Sequence, residues 1–378
     1  MKLADRELSL TRPGKGHKDL RAWDAADELL LEAYANHRGD GPAPRVAIVD
    51  DAFGALTLGL ADCQPVSLAD SALSREAIAH NAHANGLDVS RVDDWRAPPQ
   101  GPFDQILVKL PRQVDYLEYI LRWANEVLAP DGLVLGAAMI KHMPAGCADR
   151  FTRLMGSNEP QPARRKARVV LARPGEPRLD GWTGLWRGYR TADGWDAEGM
   201  PAVFARERLD IGTQMFLPVV REQVQALPTG ARVLDLGCGN GVLGLSALNL
   251  RPDLAVTFCD VSSQAIASAC HNHDRALPGT TARFHQVDGV PQGERFDLIL
   301  CNPPFHEGGT VGDHIALRLF RQSARALTGE GRLLVVGNRH LGYHVKLKRQ
   351  FRQVRQRAAD PKFVVFECAP RQTEGGRS

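Results

Sequence analysis

The chain states one pattern twice, and that repetition limits what it can fold into more than any other feature. Between about Arg45 and Ile140, and again between about Arg232 and Ala369, short apolar runs alternate with longer amphipathic stretches. The runs are Val46–Val49 and Gln105–Val108 in the first region. In the second they are Arg232–Leu234, Val256–Cys259, Leu298–Leu300 and Leu333–Val336. Short runs rich in Val, Ile and Leu read as strands covered on both faces, as in a parallel sheet. Stretches such as Gln264–His273 and Asp313–Leu327 carry the helical pattern between them. Strand–helix alternation predicts an α/β fold with a doubly wound sheet in each region.

Three segments match between the regions in order and spacing, which points to a duplicated domain. Val49–Leu60 aligns with Leu234–Leu245 in a register that puts Asp50 with Asp235, Gly54 with Gly239 and Gly59 with Gly244. Phe103–Arg112 aligns with Phe296–Phe305, and Leu128–Gly132 with Leu327–Gly331. The copies are unequal. The first lacks glycines at the positions of Gly237 and Gly241, and has Lys109 where the second has Asn302. The expected domains are 1–178 (degenerate), a linker over 179–195 with its boundary near Pro177 to Gly181, a working domain over 196–371, and a disordered tail, 372–378.

Composition excludes several classes. Net charge is +3 over 378 residues, so any basic surface must be local. Seven cysteines without a C-x-x-C pair argue against a zinc site or a disulfide framework. Reduced thiols in a cytoplasmic protein are the simple expectation. The charged start, Met1–Glu7, does not read as a signal peptide, and no run of about 18 apolar residues spans a membrane.

Arg232–Gly244 reads as a strand, a glycine turn and a helix. Glycines permit a tight turn and let a ligand lie against bare backbone. In a dinucleotide fold such a turn receives a pyrophosphate. Here Asp235 ends the strand; its carboxylate repels phosphate but suits a ligand with an ammonium group. S-adenosyl-L-methionine has that group and no phosphate. The expected cofactor set is Asp235, Gly237, Cys238, Gly239 and Gly241, with Asp260 for the ribose hydroxyls and Val261 beside it. Asp288, with Gly289, serves the adenine amino group. Each Asp alone also fits a helix cap or a solvated loop; what favours ligand binding is their place at the ends of successive strands.

Asn302-Pro303-Pro304-Phe305 follows the predicted strand Asp297–Cys301 and is the expected catalytic segment. An amine conjugated with an aromatic ring is a weak nucleophile. The Asn302 side-chain carbonyl and the Pro303 backbone carbonyl can each accept one of its N–H groups, aiming the lone pair and stabilising the charge that grows on nitrogen. The prolines stiffen the loop, and Phe305 offers a stacking face to an extruded base. Read without the glycine turn upstream, the segment is a plain Pro-rich turn.

With these motifs in place the chain resembles the bacterial ribosomal RNA guanine-N2 methyltransferases built from tandem class I (Rossmann-like) methyltransferase domains, the N-terminal one degenerate. Asn338-Arg339-His340-Leu341, Lys346-Leu347-Lys348 and Lys362–Val365 look like the large-subunit (23S) enzyme rather than its small-subunit sister. The resemblance implies transfer to N2 of one guanosine in protein-poor or bare large-subunit RNA; a cytoplasmic monomer without a metal is the accompanying expectation. It also implies that Phe204–Thr213 lines the pocket, bringing Gly212, Thr213 and Asn302 to the cofactor; Asp210 or Thr213 also reads as a helix cap.

RNA contact has its own signal. Lys346–Arg357 holds six Lys or Arg and no acid. Leu347, Phe351 and Val354 fall at helical spacing, which predicts a helix with one packed face and a positive remainder. Lys346, Lys348, Arg349 and Arg352 are the phosphate-contact candidates, with Arg164, Arg165 and Lys166 as weaker ones; a merely solvated face is the alternative. The first domain is expected to hold RNA, or else to serve as structural support. Other readings of the tetrad are small-subunit guanine-N2, adenine-N6 or glutamine methylation. A catalytically silent RNA-binding module is the reading from another class.

Overall fold

The computed structural model describes residues 1–3, 6–13, 20–39, 41–89, 92–176, 186–304 and 311–371. The chain divides into two compact units, Met1–Leu185 and Trp186–Ser378.

The first unit contains strands β1 (Val46–Val49), β2 (Val66–Leu68), β3 (Val92–Asp93), β4 (Phe103–Lys109), β5 (Leu128–Met139), β6 (Glu159–Pro160) and β7 (Ala167–Ala172). Its helices are α1 (Ala25–His37), α2 (Ala55–Gly59), α3 (Ala72–Ala84), α4 (Val114–Val127) and α5 (Cys147–Met155). The second unit opens with a hairpin, β8 (Arg187–Arg190) and β9 (Asp196–Gly199). Its sheet strands are β10 (Arg232–Leu236), β11 (Ala255–Asp260), β12 (Ala282–Gln286), β13 (Phe296–Cys301), β14 (Leu327–Asn338), β15 (Phe351–Ala359) and β16 (Phe363–Pro370). Its helices are α6 (Ile211–Gln225), α7 (Val242–Leu250), α8 (Ser263–Ala276), α9 (Val311–Ala326) and α10 (Tyr343–Lys348).

The seven-stranded sheets have one topology. The first runs β3-β2-β1-β4-β5-β7-β6 and the second β12-β11-β10-β13-β14-β16-β15. In each, five parallel strands end in two antiparallel ones. Alternate residues of the parallel strands enter opposite cores. Leu298, Leu300, Leu334 and Val336 pack with Phe216, Leu217 and Val220 of α6. Ile299, Cys301, Leu333 and Val335 pack with Phe320 of α9. Full burial of each such side chain contributes about 1.5–3 kcal/mol, so the apolar runs recognised in the sequence are the buried strands themselves.

The structure corrects three details of the sequence reading. The first is the register between the copies. Val49 pairs with Leu68 and Val108, as Leu236 pairs with Cys259 and Cys301. Val49 therefore matches Leu236, Asp50 matches Gly237 and Gly54 matches Gly241, two residues from the sequence alignment. Backbone angles agree: φ is +58° at Asp50 and +71° at Gly237, and +89° at Gly54 and +82° at Gly241. A two-residue shift leaves every strand side chain on its own face, so the hydrophobic pattern could not detect it. Second, the basic stretch is not one helix. α10 ends at Lys348, and Phe351 begins an edge strand. Leu347 and Phe351 are both buried, but their spacing straddles a turn, and from Phe351 onward the ladder to β16 holds the chain extended. Third, Arg187–Arg190, inside the expected linker, is a strand of the second unit. The boundary expected near Pro177 to Gly181 and the tail 372–378 lie outside the described residues.

Candidate active site

Four strand ends of the second sheet carry the site, beginning with the glycine turn after β10. Gly237, Gly239 and Gly241 all have positive φ, a conformation that favours glycine. A Cβ at Gly237 or Gly239 would meet no atom within 4 Å, so bare backbone faces open space there. A Cβ at Gly241 would come within 3.0 Å of Ala269, so this glycine serves packing against α8. The turn is anchored on β11: Gly237 and Cys238 donate to the Cys259 carbonyl at 2.8 and 3.0 Å. Gly239 N–H donates to the Asp260 carboxylate at 3.0 Å, whose other oxygen accepts from Ser262 N–H at 2.9 Å. Asp260 thus shapes the turn as well as ending its strand. Val261 comes next, half-buried, before the Ser262 cap of α8.

Asp235 lies beneath the turn rather than at its mouth. It is 1% exposed, and its carboxylate accepts the Gly244 N–H of α7 at 2.8 Å. Burial pushes this carboxyl up to about 7, and nearby Asp260 adds to the effect. Asp288 follows β12 and is gripped in bidentate fashion by Arg318 of α9, at 2.5 and 2.6 Å. Arg318 also donates to the Asp288 carbonyl at 3.2 Å. Gly289 has φ +102°, and a Cβ there would overlap the Gln322 side chain, also of α9. Sequence reasoning missed Arg318 and Gln322. They are about one helix period apart, but nothing in their spacing ties them to a loop thirty residues upstream.

Asn302 follows β13. Its Nδ2 donates to Thr213 Oγ1 at 3.0 Å, and its Oδ1 is buried with no hydrogen-bond partner among the described residues. Thr213 is 4% exposed, in the first turn of α6. Asp210 caps that helix, accepting from Thr213 N–H at 3.1 Å and from its hydroxyl at 3.4 Å. A carboxylate only accepts, so the Thr213 hydroxyl proton points to Asp210. Thr213 Oγ1 must then accept from Asn302, and the Asn302 carbonyl is left for another donor. Thr213, expected at the cofactor, lies against Asn302. A Cβ at Gly212 would lie 3.0 Å from the Asp210 carboxylate and 3.1 Å from the Phe363 ring, so glycine lets the helix start sit close to both. Pro303 is buried and Pro304 exposed; Phe305 lies outside the described residues.

The first unit presents the same frame with different chemistry. Asp24 caps α1 as Asp210 caps α6, and Asp27 stands where Thr213 does. Lys109, in place of Asn302, forms an ion pair with Asp27 at 2.8 Å and with Asp24 at 2.9 Å. Ala69 stands at the position of Asp260. Asp51 fills the turn, accepting from Gly54, Leu56 and Thr57 N–H at 2.8–3.0 Å.

Of the basic candidates, Lys348, Arg349 and Arg352 are exposed at the end of α10 and on the edge strand β15. Lys346 is half-buried and donates to the Leu341 carbonyl at 2.6 Å. Arg164 and Arg165 pair with Glu32 and Glu28 of α1, both at 2.8 Å, and neighbouring Lys166 is exposed. Among the described residues no group of three His, Cys, Asp or Glu is placed to hold a metal ion, and no helix is long and apolar enough to cross a membrane.

Comparison with known proteins matches this division. Residues 1–176 match the model of the RLMG N-terminal domain, and residues 195–367 that of the methyltransferase small domain. The chain is 40% identical over 367 residues to the ribosomal RNA large subunit methyltransferase G of Ectopseudomonas mendocina (strain ymp), covering 95% of this chain and 96% of that one. It is 41% identical over 378 residues to the protein of the same name from Pseudomonas aeruginosa (strain UCBPP-PA14), covering 96% and 97%. Among solved structures, the 16S rRNA N2 methyltransferase RsmC of T. thermophilus, in complex with AdoMet and guanosine, superposes with a TM-score of 0.74 over 96% of this chain and 95% of that one. At 22% identity that likeness establishes the tandem class I methyltransferase fold. Identity at this level along nearly the whole of both chains means that the protein belongs to the ribosomal RNA large subunit methyltransferase G family.

Proposed function

We propose that this chain transfers the methyl group of S-adenosyl-L-methionine to the exocyclic N2 of one guanosine in large-subunit (23S) ribosomal RNA. The observation that carries the reading is the Asn302 carbonyl oxygen, buried, without a partner among the described residues and held in that orientation by Thr213. A buried acceptor without a donor costs about 1–3 kcal/mol, a cost that an amine donor relieves. The identity to large-subunit rRNA methyltransferases over nearly the full chain supports the RNA.

The residues present fit the cofactor. Gly237 and Gly239 offer bare backbone to open space, and Asp260 and Asp288 end successive strands where ligands of such sheets lie. Asp260 would accept from the ribose hydroxyls and Asp288, fixed by Arg318, from the adenine amino group. Cys238 and Gly241 complete the turn, Val261 and Gly289 flank the two acids, and Asp235 holds the turn from below. When bound, S-adenosylmethionine supplies an electrophilic methyl group on a positively charged sulfur.

The chain's own work is to make a weak nucleophile adequate. Asn302 Oδ1 and the Pro303 carbonyl each accept one N–H of the guanine amine. This turns its lone pair out of conjugation and stabilises the positive charge that develops as the N–C bond forms and the C–S bond breaks. The methylated ammonium is acidic enough to release its proton to water, so no side chain is needed as a strong base. Pro304 stiffens the segment, and Phe305 is assigned the stacking face for the extruded base.

Lys346, Lys348, Arg349 and Arg352 are assigned to the RNA backbone. The first unit, which has lost the acidic strand end and the catalytic asparagine, is assigned to holding RNA, with Arg164, Arg165 and Lys166 as its weaker contacts. The protein acts as a cytoplasmic monomer on RNA poor in ribosomal proteins. In this reading 1–178 is the degenerate domain, the catalytic domain opens with the β8–β9 hairpin and runs to 371, and 372–378 is a tail.

Mass-spectrometric mapping of ribosomal RNA from cells lacking the gene tests the proposal. One N2-methylguanosine in the large-subunit RNA should disappear. It should return with the wild-type gene but not with an Asn302→Ala variant that still binds S-adenosylmethionine. Retention of every N2-methylguanosine in the deleted strain sinks the proposal.

A further inference from the structure

We propose that Asn338 reads the guanine ring: its side-chain carbonyl accepts the N1–H of the target base, and so admits guanine while refusing a purine with an unprotonated N1. This inference rests on the function proposed above.

Among the described residues, Asn338 Oδ1 is buried without a hydrogen-bond partner, as is Asn302 Oδ1. The two residues end adjacent parallel strands. Cys301 pairs with Val335, so Asn302 lies level with Val336, and Asn338 stands two residues further along the neighbouring strand. At about 3.3 Å per residue and about 4.8 Å between strands, their Cα atoms are roughly 8 Å apart. Side-chain alternation settles the face. Leu298 and Leu300 of β13, and Leu334 and Val336 of β14, all enter the core beneath α6. Asn302 and Asn338 continue those two series, so both side chains lie on the α6 side. Asn302 meets Thr213 there. Asn338 pairs across the ladder with Phe363, whose ring lies against Gly212 of the same helix. Among the described residues, two unpartnered carbonyl oxygens thus stand at adjacent strand ends on the α6 side of the sheet.

The ordinary explanation for Asn338 is that it caps the short 3-10 turn Arg339–Leu341. It does occupy the cap position, with φ −63° and ψ 139°, but its side chain makes no capping hydrogen bond. The first unit supplies the control. Met139 occupies the same position before the turn Ile140–His142, with φ −62° and ψ 138°. The backbone therefore does not require asparagine. The copy that replaced Asn302 with Lys109 has also replaced Asn338 with Met139, so both acceptors are absent where the catalytic set is absent.

The chemistry of the base completes the case. On its Watson–Crick edge guanine carries a donor at N1 beside the two donors of its amine. Adenine and 2,6-diaminopurine carry a lone pair at N1, which would face the Asn338 oxygen and repel it. Asn302 addresses the reacting amine and Asn338 the adjacent N1–H, so the pair separates guanine from a purine that merely has an amine at the same carbon. A site built to bond a donor rejects an analogue lacking it much more strongly than a shape-only pocket does.

The test uses the full chain and a large-subunit RNA fragment carrying the mapped guanosine, synthesised with guanine, 2,6-diaminopurine or 2-aminopurine at that position. Both analogues keep the amine and lack N1–H, and they differ at the 6-position. Wild type should prefer guanine to either analogue by roughly 30-fold or more in kcat/KM. Asn338→Met, which the same backbone accommodates in the first unit, should lower the guanine value and, by removing the repulsion, raise the analogue values, so that the preference collapses to within about 3-fold. Asn338→Asp keeps an acceptor and should keep the preference. Equal rates on guanine and both analogues in wild type would overturn the inference and leave the proposed function standing. So would an Asn338→Met variant that loses the same factor on all three substrates, since that marks a structural role. No transfer to the guanine fragment by wild type removes the proposed function, and the inference with it.

Discussion

At the scale of the residue, orientation of one amide is the deciding detail. Asn302 presents its carbonyl because Thr213 accepts from its amide nitrogen, and Thr213 does so because its own proton goes to Asp210. Thr213→Val removes the hydroxyl with little change of shape. Turnover should fall roughly 10-fold with cofactor affinity unchanged, and Thr213→Ser should restore most of it. If the valine variant instead weakens S-adenosylmethionine binding and turns over normally, Thr213 is a cofactor residue. Asp235 gives a second prediction. Burial holds its carboxyl up near 7, against about 3.9 in the unfolded chain. Between those values the folded state keeps a proton that the unfolded state has lost, so its contribution to stability falls as pH rises from about 4 to about 7 and is flat above. Asn is neutral at every pH and can still accept the Gly244 N–H. Asp235→Asn should raise the unfolding free energy in urea at pH 8 by a few kcal/mol at most, and by only about a third as much at pH 5. Equal effects at both values would contradict the shift. The asparagine, the glycines and the acids were all legible in the sequence as residue types at strand ends. What each carboxylate faces was not, because hydrogen-bond direction depends on neighbours far away in the chain.

At the scale of the element, the sequence located the parallel strands well, because their apolar runs are buried on both faces and nothing else competes for that pattern. It failed where two periodicities overlap. Leu347, Phe351 and Val354 satisfy a helical spacing, yet the chain turns after Lys348 and runs on as the edge strand β15. Pairing with β16 decides it, and that partner is not in the local sequence. The result leaves Lys348, Arg349 and Arg352 exposed at a sheet edge. Replacing all three with Ala should raise KM for RNA about 10-fold at moderate salt and leave kcat unchanged. The salt dependence should flatten by up to about 0.7 for each phosphate that these side chains neutralise. An unaltered salt slope would mean that these cations touch no phosphate. α9 teaches the same lesson from the other side: its Arg318 and Gln322 hold the Asp288–Val290 loop, a role that only packing assigns.

At the scale of the whole molecule, two units of one topology carry one complete set of site residues. The first has Asp50, Ala69, Lys109 and Met139 where the second has Gly237, Asp260, Asn302 and Asn338. Titration calorimetry should therefore find one S-adenosylmethionine per chain; two would mean that the first unit still binds it. The sequence by itself determined the fold class, the duplication, and which copy holds the glycine turn and the Asn-Pro-Pro segment. Those depend on composition and short-range periodicity, which act wherever the chain is read. Only the tertiary structure decided the two-residue register between the copies, the burial of Asp235, and the grip of Thr213 on Asn302. It alone also put Asn338 beside Asn302. These rest on strand pairing and on the direction of single hydrogen bonds, and a shift of two along a strand or a turn of one amide leaves no trace in the order of the residues.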